Sequence, residues 1–170
     1  LLEDRLTPEG RKRAVRDRWK QRWSDALLRL FAVRPEVHGE APPQRGGRLI
    51  VMNHRSAIDT GLALSLFGGV MVSRGDLAKW PLVGVAARKT GTLFVDRSAA
   101  ASGAATMRLL KDALRSGETV TLFPEGTTFP DDEVRPFHGG AFVASQRTGA
   151  DILPVGIAYE RGSGAAFLDE

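Results

Sequence analysis

The chain has no cysteine among its 170 residues. Disulfides, thiolate zinc sites and cysteine nucleophiles are therefore excluded. It also lacks any apolar run near the roughly 18 residues that a membrane-spanning helix requires. The longest weakly polar stretch, Thr60–Ser73, is interrupted by Gly61, Gly68 and Gly69. No charged-then-apolar signal segment opens the chain, which does not begin with Met and reads as a piece of a longer one. There is no Gly-x-Ser-x-Gly elbow, no Gly-x4-Gly-Lys-Ser/Thr phosphate loop and no Gly-x-Gly-x-x-Gly turn, so serine-hydrolase, nucleotidase and dinucleotide readings lose their support. The histidines His38, His54 and His138 have no metal-type spacing, and no metal or cofactor is expected.

What remains is a chain with 42% hydrophobic residues and a net charge of +4. That length and composition fit one compact domain. The charge is local: residues 1–30 hold nine Lys/Arg against five Asp/Glu, while the remainder is balanced at fifteen of each. Residues Thr7 to Phe31 read as a helix, with Thr7 as N-cap and Pro8 in the first turn. Val15, Trp19, Trp23, Ala26, Leu27 and Leu30 recur at helical spacing among Arg11, Lys12, Arg13, Arg16, Arg18, Lys20 and Arg22. A basic amphipathic helix with tryptophan suits an anionic membrane surface, and equally an ordinary packing helix with a solvated basic face. Nucleic acid is not an expected partner, because no reading helix with base-contacting residues accompanies the basic stripe. The organisation is thus a basic helix over residues 1–31 followed by a domain over 32–170, within a single domain overall.

Beyond Pro35, short apolar runs alternate with helical patterns. The pattern predicts strands at Val33–His38, Arg48–Met52, Val70–Ser73, Thr92–Val95, Thr119–Phe123 and Ile152–Ala158. Helices are predicted over Ser56–Phe67, Leu82–Lys89, Ala99–Ser116 and Gly140–Thr148. This alternation argues for an α/β fold with a mixed, largely parallel sheet flanked by helices.

Ligands gather at the carboxyl ends of such strands. His54 follows the run Leu49–Met52, and Asp59 stands five residues later at the start of a helix. A carboxylate there can hold one imidazole nitrogen and leave the other as a general base. The same spacing also fits a surface histidine beside a helix-capping aspartate. Arg97 follows Leu93–Val95, as a clamp for phosphate or carboxylate or as a salt-bridge partner of Asp96 or Glu125. Pro124-Glu125-Gly126-Thr127 follows Val120–Phe123 and reads as an anion-binding or oxyanion turn, or as a plain turn.

Taken in order, Asn53-His54-x4-Asp59, Gly91-Thr92-Leu93-Phe94-Val95-Asp96-Arg97, Phe123-Pro124-Glu125-Gly126-Thr127 and Leu153-Pro154-Val155 resemble the glycerolipid acyltransferase family. The likeness is strongest to its bacterial 1-acylglycerol-3-phosphate acyltransferases and extends from about Val37 to Ala158. It implies an enzyme of phospholipid biosynthesis that moves a fatty acyl group from acyl-CoA or acyl carrier protein to the free hydroxyl of a lysophospholipid, giving phosphatidic acid. His54 would be the base and Asp59 its orienter. The resemblance puts the acceptor phosphate on Arg97, Glu125, Gly126 and Thr127, with Arg74 as a second cation. The expected oxyanion donors lie near Gly126, and Pro154 would shape the last strand. The expected setting is the cytoplasmic face of the cell membrane, with the protein bound peripherally or through a segment outside the chain. Two departures stand out. Thr128 follows Glu-Gly-Thr where many relatives carry arginine, and His138-Gly139 replaces a position often held by lysine. Both leave the head group open between lysophosphatidate, a lyso-ornithine lipid and another lysophospholipid.

Overall fold

The computed structural model describes residues 8–81, 83–95, 100–129 and 133–160. Five strands form one sheet: β1 (Arg48–Met52), β2 (Val70–Arg74), β3 (Leu93–Val95), β4 (Thr119–Leu122) and β5 (Asp151–Val155). Their order is β3-β2-β4-β1-β5, and every observed pairing is parallel. The connecting elements are α1 (Pro8–Leu30), α2 (Ile58–Phe67), a 3-10 turn (Gly75–Lys79), α3 (Val83–Lys89), α4 (Ala100–Arg115) and α5 (Gly140–Thr148).

A parallel sheet needs cover on both faces, and β1 shows it, with all five of its residues buried. Alternation sends Leu49 and Val51 to one face, where they pack with Leu110, Leu114 and Ala144 of α4 and α5. Ile50 and Met52 go to the other face, with Ala63 and Leu64 of α2. Pro154 sits within β5, an edge strand of the sheet, where its missing N–H breaks no ladder.

Helix α1 lies outside α2 as a further layer and runs antiparallel to it. Near its end, Leu28 is buried at Gly61, where an added Cβ would meet Leu28 Cδ2 at 3.5 Å. Midway, Ser65 donates to Asp25. Toward its start, Asp17 lies against Gly68, and Lys20 Nζ donates to the Gly69 carbonyl. Gly69 has φ +68°, and an added Cβ would lie 2.3 Å from the Thr119 carbonyl, so only glycine fits this junction. The guanidinium of Arg16 reaches both oxygens of Glu118 at 2.8 Å, and Arg13 Nε lies 3.2 Å from the same carboxylate. Burial pushes the Lys20 ammonium below its ordinary pKa, aided by the like charge of Arg16.

Two expectations change. The segment Val33–His38 is not a strand: it is largely exposed and pairs with no neighbour. The helix faces also differ from an ordinary packing helix. Lys20 and Ser24 are 4% and 0% exposed, whereas Trp19 and Trp23 are 71% and 47% exposed. Val15, Leu30 and Phe31 are exposed as well. The packed face carries Lys20 and Ser24 as well as Leu28, because toward its start it meets the Gly69 carbonyl and Glu118 at the amino end of the sheet. Thr7, the expected cap, lies outside the described residues. Among the described residues, no helix is long and apolar enough to cross a membrane.

Candidate active site

The parallel register builds the site. Val51 pairs with Leu122 of β4 and with Pro154 of β5, so His54 and Glu125 each lie three residues beyond a matched pair. All three strands point the same way and deliver their following residues to one edge. There His54 Nδ1 lies 2.9 Å from Asp59 Oδ2. Asp59 belongs to the first turn of α2 and is fully buried. Its Oδ2 also accepts the N–H groups of Arg55 at 2.6 Å and Ser56 at 2.9 Å. Backbone donors at the start of the helix thus fix the carboxylate against the ring. The imidazole stacks on Phe123, with ring centroids 3.8 Å apart and planes 9° from parallel. Its side chain remains 17% exposed, so the ring is pinned by neighbours yet reachable.

Glu125 is buried and tied to the backbone. Oε1 accepts the N–H of His54 at 2.8 Å, and Oε2 accepts the N–H of Arg135 at 3.0 Å. Two more bonds close this knot: Phe129 N to the His54 carbonyl at 3.3 Å and His138 N to the Pro124 carbonyl at 2.9 Å. Placed this way, the Glu125 carboxylate holds the histidine and the following loop in position. Gly126 adopts φ +85°, which favours glycine, and its N–H donates to the Phe123 carbonyl at 3.1 Å. That N–H closes a turn, so in this conformation the expected oxyanion donor at Gly126 is occupied. Thr127 is exposed beside it.

Arg74 stands at the end of β2, on the same edge, and its guanidinium forks onto Asp76 at 3.1 and 2.7 Å in the open. The bond from Arg74 holds the Asp76 carboxyl below its usual range. Arg97 and Asp96 lie outside the described residues. The structure thus brings together His54, Asp59, Glu125 and Gly126, and leaves Arg74 paired at the end of the neighbouring strand β2.

Four roles escaped the sequence reading, although Asn53 and Phe123 stand within its motifs. Asn53 clamps the segment after β5: Nδ2 donates to the Ile157 carbonyl at 2.9 Å, and Oδ1 accepts the Ile157 N–H at 2.6 Å. Tyr159 donates its hydroxyl to Asp59 Oδ1. Arg135 lies over Phe129, 5.0 Å from the ring centroid. Phe123 is the stacking platform already described. Of the two outside those motifs, Tyr159 had a local signal: with Leu153, Val155 and Ile157, it continues the alternation of β5.

The acyltransferase family model matches residues 34–158. Lyso-ornithine lipid O-acyltransferase of Pseudomonas aeruginosa is 34% identical over 160 residues, covering 94% of this chain and 60% of that protein. The 1-acyl-sn-glycerol-3-phosphate acyltransferase of Neisseria meningitidis serogroup B is 26% identical over 152 residues, covering 89% of this chain and 58% of that protein. The crystal structure of the 1-acyl-sn-glycerophosphate acyltransferase PlsC from Thermotoga maritima aligns with a TM-score of 0.71 at 24% identity, over 90% of this chain and 62% of that one. The chain therefore spans about three fifths of the length of these relatives. The structural likeness establishes a shared α/β fold. With that fold, and a family match running from Arg34 to Ala158 through all of the strand-end motifs, the chain belongs to the acyltransferase family.

Proposed function

We propose that this chain transfers a fatty acyl group from an acyl thioester, acyl-CoA or acyl carrier protein, to the free hydroxyl of a lysolipid. The observation that carries the reading is the His54 Nδ1 to Asp59 Oδ2 contact at 2.9 Å on a stacked, partly exposed ring. His54 Nε2 takes the proton from the acceptor hydroxyl as its oxygen attacks the thioester carbonyl. The tetrahedral intermediate collapses, the C–S bond breaks, and the thiolate leaves with the proton returned by the imidazolium. An ester and a free thiol result, with no acyl-enzyme. Asp59 orients the ring and stabilises its charged form, as an acid partner does in Ser-His-Asp sites. Neither a metal nor a cofactor beyond the two substrates takes part.

The acceptor is an anionic or zwitterionic lysolipid. Lysophosphatidate, giving phosphatidic acid, is the reading that Arg97, Arg74 and the Glu125-Gly126-Thr127 turn support, with the two arginines supplying charge for a phosphate. Lyso-ornithine lipid is favoured by Thr128, which stands where arginine is expected, and by the greater identity to a protein of that name. An ornithine head group carries a carboxylate and an ammonium, and needs fewer cations than a phosphate monoester. The exposed face of α1, with Val15, Trp19, Trp23 and Leu30 beside Arg11, Arg18 and Arg22, supports peripheral docking on an anionic membrane at its cytoplasmic face.

An acyl-transfer assay with lysophosphatidate and lyso-ornithine lipid, each with acyl-CoA and acyl carrier protein donors, tests the reading. Turnover of at least one acceptor is expected, highest with lyso-ornithine lipid, and His54→Ala should lower it at least about 100-fold. No turnover of any acceptor would overturn acyl transfer, and an active His54→Ala would overturn the base assignment.

A further inference from the structure

The polar group that the dyad chemistry above does not use is the hydroxyl of Tyr159, which donates to Asp59 Oδ1 from a position 100 residues away in the chain. Asp59 Oδ2 already serves His54 and two backbone N–H groups, so this hydroxyl answers the other oxygen. Its placement is built. Asn53, next to the histidine, makes a two-bond clamp on Ile157, and the extended chain then turns Tyr159 toward the same face. Arg55 covers the tyrosine ring from 5.9 Å. Burial, and then the neighbouring carboxylate, raise the tyrosine pKa, so the phenol stays protonated and remains a donor.

We infer that Tyr159 is a positioning residue that sets how strongly Asp59 draws a proton onto His54, through the hydrogen bond between its hydroxyl and Asp59 Oδ1. A donor on one carboxylate oxygen withdraws negative charge from the other. Less charge then faces the imidazole, which protonates less readily. Strengthening or removing the tyrosine hydrogen bond therefore tunes the base in opposite directions. Among the described residues, Arg55 lies over the tyrosine ring, and Glu125 accepts the backbone N–H groups of His54 and Arg135. The consequence for rate rests on the acyl-transfer reading, whereas the coupling between the three side chains does not.

Two changes test it. Tyr159→Phe keeps the ring and its stack and deletes the hydroxyl. Because the chain contains one tyrosine, growth on 3-fluorotyrosine alters Tyr159 alone and makes its hydroxyl a stronger donor while preserving the fold. The imidazole titration of His54 is followed by NMR, with its signal assigned by its loss in His54→Gln. It should move to higher pH in Tyr159→Phe and to lower pH in the fluorinated protein. In an Asp59→Asn background, fluorination should move it no further. In turnover, the rising limb of the kcat against pH profile should follow the titration, moving to higher pH in Tyr159→Phe and to lower pH in the fluorinated protein, with KM little changed. A His54 titration that stays in place with both changes, or that moves equally without Asp59, would overturn the inference. Wild-type protein inactive on every lysolipid would overturn the acyl-transfer reading instead, with the titration still deciding the coupling.

Discussion

At the carboxyl end of the sheet, Asp59 and Glu125 are held by neutral donors: backbone N–H groups of His54, Arg55, Ser56 and Arg135, and the hydroxyl of Tyr159. At the amino end, Glu118 and Asp17 are met by the cations Arg13, Arg16 and Lys20. Both arrangements satisfy carboxylates, but they leave different electrostatics behind. Cations cancel charge, so the lower clamp is complete at rest and serves to fix α1 against the sheet. Backbone dipoles stabilise a carboxylate without cancelling its formal charge, so under the proposed mechanism Asp59 can answer the charge of a protonated imidazole. A reaction that creates a positive histidine belongs at the end built that way.

The comparison is most exposed to Asp59→Asn. If Asp59 supplies the answering charge, the substitution should lower kcat about 10² to 10⁴-fold, read in the same acyl-transfer assay. A loss smaller than tenfold would make the two ends equivalent. Next comes Glu125→Ala, which leaves two partly buried N–H groups without that acceptor. It should cost about 1–3 kcal/mol of stability in denaturant unfolding, and about 100-fold in turnover through displacement of His54. Activity kept at full level would show that the lower clamp alone organises the fold. Replacing Trp19 and Trp23 together with alanine should change stability by under about 1 kcal/mol, since both are exposed, while abolishing sedimentation with anionic liposomes. A large loss of stability would instead place that face against protein. The smallest effect belongs to Glu118→Gln. This partly solvated cluster is worth about 1 kcal/mol, diminishing with salt, and turnover per bound enzyme should be unchanged.

The legible and illegible parts of the molecule divide along sequence separation. Strand β1 and helix α5 have the predicted bounds, because a five-residue apolar run and a helix bounded by Gly139 and Gly149 are local signals. The His54–Asp59 spacing is local too. Glu125 and Tyr159 reach the same cluster from 71 and 100 residues away, and only the register of β1 with β4 and β5 brings them there. The apolar alternation of Val33, Pro35 and Val37 imitated a strand, yet the segment is exposed and pairs with no strand of the sheet. On α1 the stripe was visible but its direction was not, since periodicity distinguishes two faces of a helix without saying which one meets protein. Lys20 settles this through a single carbonyl, that of Gly69, which nothing in the spacing announces.

Because Glu125 grips the histidine's own N–H with one oxygen and the N–H of Arg135 with the other, the loop and the base are geared together. A displacement of the Arg135–His138 segment would pull on His54 through this two-bond link. Any change in that segment must keep both bonds if His54 is to stay where it is.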